Sequence, residues 1–142
     1  MFCSKLLVAY DGSELAEKAL GRAALIVKTN PLITVNVLVV SPGFNGGRVY
    51  ASINESLYES EAKYWEEVVQ KVKRSLSHLA NPHSVTLAHG TPQTEIVKFA
   101  EEQDCDLIVM GSRGMSGMKE LLLGSVSHYV VQHAHIPVLI EK

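Results

Sequence analysis

Cysteine is scarce. Cys3 and Cys105 are the only two in 142 residues, and no C-x-x-C occurs. A zinc knuckle or a dithiol redox centre needs that spacing, so neither is expected. Two isolated thiols read instead as small buried hydrophobes, and without a secretion signal they fit a reducing cytoplasm. Long apolar runs are also missing. The longest, such as "LITVNVLVV", fall far short of the ~20 residues that cross a bilayer. "MFCSKLLVAYDGSE" has one lysine, a short apolar run and then acid, without the small-residue cleavage site of a signal peptide. No excess of one charge is present either: 13 basic and 15 acidic side chains leave a net −2. That balance provides no attractive field for nucleic acid or an anionic membrane. The six histidines form no H-E-x-x-H, so no histidine metal site is expected. There is no internal repeat and no low-complexity segment.

What is present is an ordinary globular composition, 46 % hydrophobic and 20 % charged. The length is that of one domain, spanning 1–142, large enough to bury a core without staples. "KLLVAY" (Lys5–Tyr10) reads as a strand buried on both faces. Asp11-Gly12-Ser13 stops it, and Ser13 is placed to cap a helix over 14–28 with apolar residues at helical spacing. Leu32–Val40 is a second buried strand. Ser41–Ile53, with three glycines and a proline, reads as loop. A long helix over 54–79 carries Leu57, Tyr64, Trp65, Val68, Val69, Val72, Leu76 and Leu79 near one face. Its Tyr64-Trp65 pair reads as core or dimer packing. Ser84–His89 is a third strand, less apolar and so at a sheet edge. Thr91 and Pro92 then fit the N-cap and first position of a helix. "DLIVMG" is a fourth strand, 125–133 a last helix, and "IPVLIEK" a fifth strand.

Strands alternating with helices imply a parallel sheet covered on both faces, an α/β fold. With helices on both faces the winding must reverse, and a ligand crevice opens at the strand C-termini where it does. Two connections carry unusual chemistry, Asp11-Gly12-Ser13 after strand one and Gly111–Gly124 after strand four. If those strands are neighbours, the two loops face each other across the crevice.

The second connection contains Gly111, Gly114, Gly124 and Ser125 in the pattern G-x-x-G-x(9)-G-S. At average glycine usage it arises by chance in on the order of one such chain in two hundred, and here it fills one strand–loop–helix unit. Gly111, without a Cβ, admits a ribose or base close to the backbone, and Gly114 lets the loop turn back. Gly124-Ser125-Val126 begins a helix, where unpaired amides and the dipole favour anions. Ser125 and Ser127 add hydroxyl donors, and Arg113 and Lys119 add positive charge for a terminal phosphate. Asp11, opposite, suits ribose hydroxyls, although Asp-Gly-Ser is also a good turn by itself. Val39 is placed to pack on an adenine face. Neither a Walker A loop nor G-x-G-x-x-G after strand one is present.

On "KLLVAYDGSELAEKAL", "GTPQTEIVKFAEEQDCDLIVMGSRGMSG" and "LLLGSVSHYVVQHAHIPVLIEK", the chain resembles the ATP-binding branch of the universal stress protein family, nearly end to end. The resemblance implies an open, doubly wound five-stranded parallel sheet in the order 3-2-1-4-5, of the adenine nucleotide alpha hydrolase kind. It implies a homodimer paired through the C-terminal strand, and a cytoplasmic stress-response role. It further implies ATP, with Mg2+ or Mn2+ on its phosphates, held between the loops after strands one and four. Carried over by position, the nucleotide contacts are Ala9, Asp11 and Val39 on the first two strands, and Gly111, Arg113, Gly114, Gly124, Ser125 and Val126 after the fourth. Leu38 stands where many relatives carry histidine, a position the phosphate seat does not need. The loop Ser41–Ile53 matches no pattern. Asp11 and Glu120 are carboxylates near the loops, but neither has a spacing that dictates catalysis, so hydrolysis is expected to be slow at most. Two other classes remain open: a nucleotide-free dimer acting through protein contacts, and an enzyme acting on an adenylated or phosphorylated small molecule.

Overall fold

The computed structural model describes residues 3–42, 55–114 and 122–142. Strand β1 is Lys5–Tyr10, followed by helix α1, Glu14–Val27. Then come β2 (Thr34–Ser41), α2 (Glu55–Leu76), β3 (His83–His89), α3 (Pro92–Glu102), β4 (Leu107–Gly111), α4 (Ser125–His133) and β5 (Val138–Glu141). The five strands form one parallel sheet in the order β3-β2-β1-β4-β5. The winding therefore reverses between β1 and β4. β3, the least apolar of the inner-reading segments, lies at one edge as its composition predicts, and β5 lies at the other.

The sheet separates two cores because side chains alternate along each strand. Leu6, Val8 and Tyr10 of β1, Val35, Val37 and Val39 of β2, and Leu107 and Val109 of β4 pack with α1 and α2. Leu7, Ala9, Leu38, Val40, Ile108 and Met110 pack with α3 and α4 through Ile96, Ala100 and Val130. Burial on both faces is what makes these strands continuously apolar. Each fully buried Leu, Ile or Val stabilises the fold by about 1.5–3 kcal/mol.

Local signals set the element ends. Ser13 accepts a hydrogen bond from the Ala16 amide at 3.2 Å and caps α1. Gly12 has φ +87°, a conformation that other residues adopt only at a cost, and it turns the chain from β1 into α1. Thr91 is the N-cap of α3, but its side chain makes no capping bond. Instead the Thr94 hydroxyl donates to the Thr91 carbonyl at 3.0 Å. α2 ends at Leu76, earlier than periodicity predicts, although Leu79 still reaches the core. Leu57 and Tyr64, expected on its buried face, are exposed; the helix's buried residues, Val69, Val72 and Leu76, lie in its second half. All but the first two residues of the loop expected over Ser41–Ile53 lie outside the described residues, and Ser41 itself closes β2.

Candidate functional site

A cavity of about 350 Å³ opens where the winding reverses, at the low end of the range for small-molecule sites. β1 and β4 are neighbours, so the loops that leave their C-termini do face each other. Their contact is tight. A Cβ placed on Gly114 would lie 2.6 Å from Oδ2 of Asp11, closer than atoms tolerate. A side chain at 114 would push the Asp11 carboxylate out of this position. Asp11 plays two parts. Its Oδ1 accepts the Ser13 amide at 2.9 Å, the turn that launches α1, while Oδ2 points across at Gly114.

Gly111 lines the cavity, and its missing side chain also answers a packing demand. A Cβ there would meet Cβ of Leu15 at 2.7 Å and the Leu15 carbonyl carbon at 3.2 Å. Helix α1 packs directly on the end of β4, and the glycine admits the helix.

Gly124 is the N-cap of α4, with φ −70° and ψ 171°, and no side chain caps the helix. The amides of Ser125 and Val126 lie in the first turn, where no intrahelical acceptor exists. That first turn holds no acidic residue, whereas α1 and α3 begin with Glu14, Glu17 and Glu95. Ser125 and Val126 border the cavity together with Arg113. The Arg113 guanidinium pairs with no carboxylate among the described residues. The seat is thus electropositive: open amides, a helix dipole and a cation. Lys119 and Glu120 lie outside the described residues.

Ser127 does not serve as the free donor that its position suggests. It is 2 % exposed, and its hydroxyl donates to the Ser112 carbonyl at 2.8 Å, with the Gly124 carbonyl 3.2 Å away. The same Ser112 carbonyl accepts the Gly124 amide at 2.7 Å, and the Ser112 amide donates to the Glu141 carbonyl of β5 at 2.8 Å.

The other end of the cavity is apolar. Ala9, Leu38, Val40, Pro42, Pro92, Ile96 and Met110 form its wall. Val39 is not among them. Its side chain is fully buried on the opposite face, under α1 and α2. Register explains this: Ala9 pairs with Leu38, and Val39 with Tyr10. Cross-strand partners share a face, so a ligand touching Ala9 meets the side chains of Leu38 and Val40. Leu38, Val40 and Ile96 were not anticipated; the register that places Leu38 beside Ala9 appears only in the structure.

Two aromatic residues from the α1/α2 side border the cavity where it wraps over the strand ends, Tyr10 and Trp65. Trp65 also packs on the core and meets Tyr64 edge-on, ring centroids 5.1 Å apart. The Tyr10 hydroxyl donates to Glu17, which also pairs with Lys71 at 3.1 Å. Burial and the adjacent Glu17 carboxylate push the Tyr10 phenol well above its ordinary range, so it remains a donor. Burial alone would raise the Glu17 carboxyl, but the Tyr10 hydroxyl and the Lys71 ammonium together hold it below its ordinary value. Lys71 thereby ties α2 to the α1 wall of the site.

Among the described residues no cluster of three or more His, Cys, Asp or Glu could hold a metal ion. No described helix is long and apolar enough to cross a membrane.

This geometry has known counterparts. The family model described as "Universal stress protein family" matches residues 3–142. The chain is 35 % identical to universal stress protein YxiE of Bacillus subtilis, covering 98 % of this chain and 99 % of that protein. It is 34 % identical to universal stress protein MJ0531 of Methanocaldococcus jannaschii, over 97 % of this chain and 81 % of that one. Among solved structures, the protein MJ0577 superposes with a TM-score of 0.83 at 33 % identity, covering 100 % of this chain and 97 % of the other. A universal stress protein from Archaeoglobus fulgidus, solved in complex with dAMP, superposes at 0.70 with 27 % identity and full coverage of both chains.

Proposed function

The chain belongs to the universal stress protein family, and from that premise we propose that it is an ATP-binding module whose occupancy signals to a partner, with at most slow hydrolysis. One observation carries the reading. A cavity that is apolar at one end stops, at the other, on an uncapped helix start flanked by Arg113. An adenine fits the Ala9, Leu38 and Val40 wall. The ribose then falls beside Asp11, whose carboxylate accepts its hydroxyls. The phosphates reach the amides of Ser125 and Val126 with Gly114 and Gly124 alongside, and Arg113 meets the terminal charge. A relative solved with dAMP supports an adenine ligand. A Mg2+ or Mn2+ ion carried on the nucleotide phosphates would neutralise part of their charge.

The same reading makes any hydrolysis slow. Phosphoryl transfer needs a group that orients the attacking water and a cation for the transition state. Arg113 borders the cavity where it can serve as the second. Assembly as a cytoplasmic homodimer is part of the same reading: β5 is an edge strand, Leu139 on it is 37 % exposed, and open edges recruit a second strand.

The test begins with denaturing the purified protein and chromatographing the released small molecules. ATP supports the module. An adenylated or phosphorylated metabolite other than a nucleotide supports an enzyme. An empty chain that also gains no heat stability from added ATP supports a structural dimer. A turnover much above about one per second, within the range of ordinary enzymes, contradicts the module.

A further inference from the structure

The head of α4 is held from behind. Ser112 sits between the end of β4 and the start of that helix, 3 % exposed. Its carbonyl accepts two hydrogen bonds from α4, the Gly124 amide at 2.7 Å and the Ser127 hydroxyl at 2.8 Å. Its amide is fixed by the Glu141 carbonyl at 2.8 Å. The Glu141 side chain is gripped in turn by both nitrogens of the Arg22 fork, at 3.0 and 3.1 Å. A continuous chain of bonds therefore runs from α1 and the C-terminal strand to the helix turn that borders the cavity. Within it Ser127 is the one side chain of α4 that bonds to Ser112, across 15 positions in sequence.

We propose that Ser127 is a positioning residue for the phosphate seat, fixing the aim of the Ser125 and Val126 amides by holding the Ser112 carbonyl. This rests on the nucleotide reading above. Ser127 borders the cavity, but its hydroxyl is committed to two carbonyls; it acts on the ligand through the helix it anchors. Its loss frees the first turn of α4 to move relative to β4. The apolar wall is built from β1, β2, β4 and α3 and is untouched. Phosphate binding and base binding should therefore separate.

Calorimetric titration of wild type and Ser127→Ala with ATP and with adenosine reads the two ends independently. Ser127→Ala is expected to weaken ATP about ten-fold, equivalent to about 1.4 kcal/mol, and to change adenosine less than two-fold. Ser127→Thr, which keeps the hydroxyl, should recover ATP binding. Ser127→Cys, similar in volume with only a weak donor, should behave like the alanine variant and guards against a packing effect. Asn81→Ala controls for general destabilisation. Asn81 is buried at the other end of the sheet, where its amide donates to the carbonyls of Val27, Asn30 and Ile33. That variant should lose heat stability without changing the ATP-to-adenosine ratio. The proposal is overturned if both ligands weaken equally in Ser127→Ala, if neither does, or if Asn81→Ala shows the same selectivity. Wild type that binds no ATP overturns the nucleotide reading and this inference with it. Wild type that binds ATP, with an unchanged ratio in Ser127→Ala, overturns this inference alone.

Discussion

Replacing Gly124 by aspartate should leave stability nearly unchanged while abolishing the response to ATP. Gly124 has an extended backbone, φ −70° and ψ 171°, that any residue adopts. A Cβ there would meet the Ser112 carbonyl oxygen at 3.3 Å and the Arg113 Cα at 3.5 Å, a contact that needs a shift of a few tenths of an ångström. An aspartate at this N-cap can accept the amides of the first turn, a gain of a few tenths of a kcal/mol over glycine. Its charge also meets the positive end of the dipole, adding about 0.3–1 kcal/mol. The tight carbonyl contact offsets part of this. Ligand-free Gly124→Asp should therefore melt no more than about 3 °C from wild type, taking about 3–4 °C per kcal/mol for a chain of this size. ATP is affected far more. At 100-fold over Kd a ligand stabilises by about 2.7 kcal/mol, which corresponds to a rise of roughly 10 °C. In the variant the carboxylate occupies the amides and repels the phosphates, so the rise should vanish. Differential scanning fluorimetry with and without ATP measures both quantities. A variant that melts much lower than wild type and still gains the full rise with ATP would refute the reasoning at both steps.

Gly111→Ala tests the claim that this glycine serves packing. With its Cβ 2.7 Å from that of Leu15, the variant should lose about 1–3 kcal/mol even without ligand, and an unchanged urea midpoint would contradict this. Asp106 accepts hydrogen bonds from the Ser4 hydroxyl, the Ser4 amide and the Lys5 amide, which hold its carboxyl below its ordinary value. A depressed carboxylate stabilises above its unfolded pKa and loses that contribution as pH falls through the folded one. Urea midpoints should drop between about pH 5 and pH 3, and less steeply in Asp106→Asn; equal slopes would sink the assignment. Burial raises the pKa of both cysteine thiols, so Ellman's reagent at pH 8 should find neither in the native protein and both in guanidinium. Trp65, the single tryptophan, borders the cavity; its emission should respond to adenosine as well as to ATP, and silence with both ligands would place them elsewhere.

Much of this fold is legible because its strands and helices have distinct periods. Lys5–Tyr10 and the last helix, 125–133, appear in the structure with the bounds their patterns predict. The polar character of Ser84–His89 locates an edge strand before any pairing is known. The two glycine-bearing connections could be read as facing loops because the winding of a doubly wound sheet must reverse somewhere. Side-chain parity on β2 was not legible. A strand buried on both faces has no polar alternation, so nothing in "TVNVLVVS" distinguishes Val39 from Leu38 and Val40. The reasons for the glycines were also hidden, since Gly111 and Gly114 answer to Leu15 and Asp11, about 100 positions away in sequence. The role of Ser127 depends on a carbonyl rather than a side chain, and main-chain acceptors leave no mark in a sequence. Leu57 and Tyr64 misled because a helical stripe predicts which face is apolar and not how far along its length the core extends.

The central claim is that the open amides at the start of α4 hold the phosphates of an adenine nucleotide. Amide nitrogen–proton spectra of the labelled protein, titrated with ATP and with adenosine, test it most directly. The account predicts that the Ser125 and Val126 resonances shift with ATP and stay nearly still with adenosine, while amides along the Leu38–Val40 wall respond to both. Saturable ATP binding that leaves Ser125 and Val126 unmoved would contradict it.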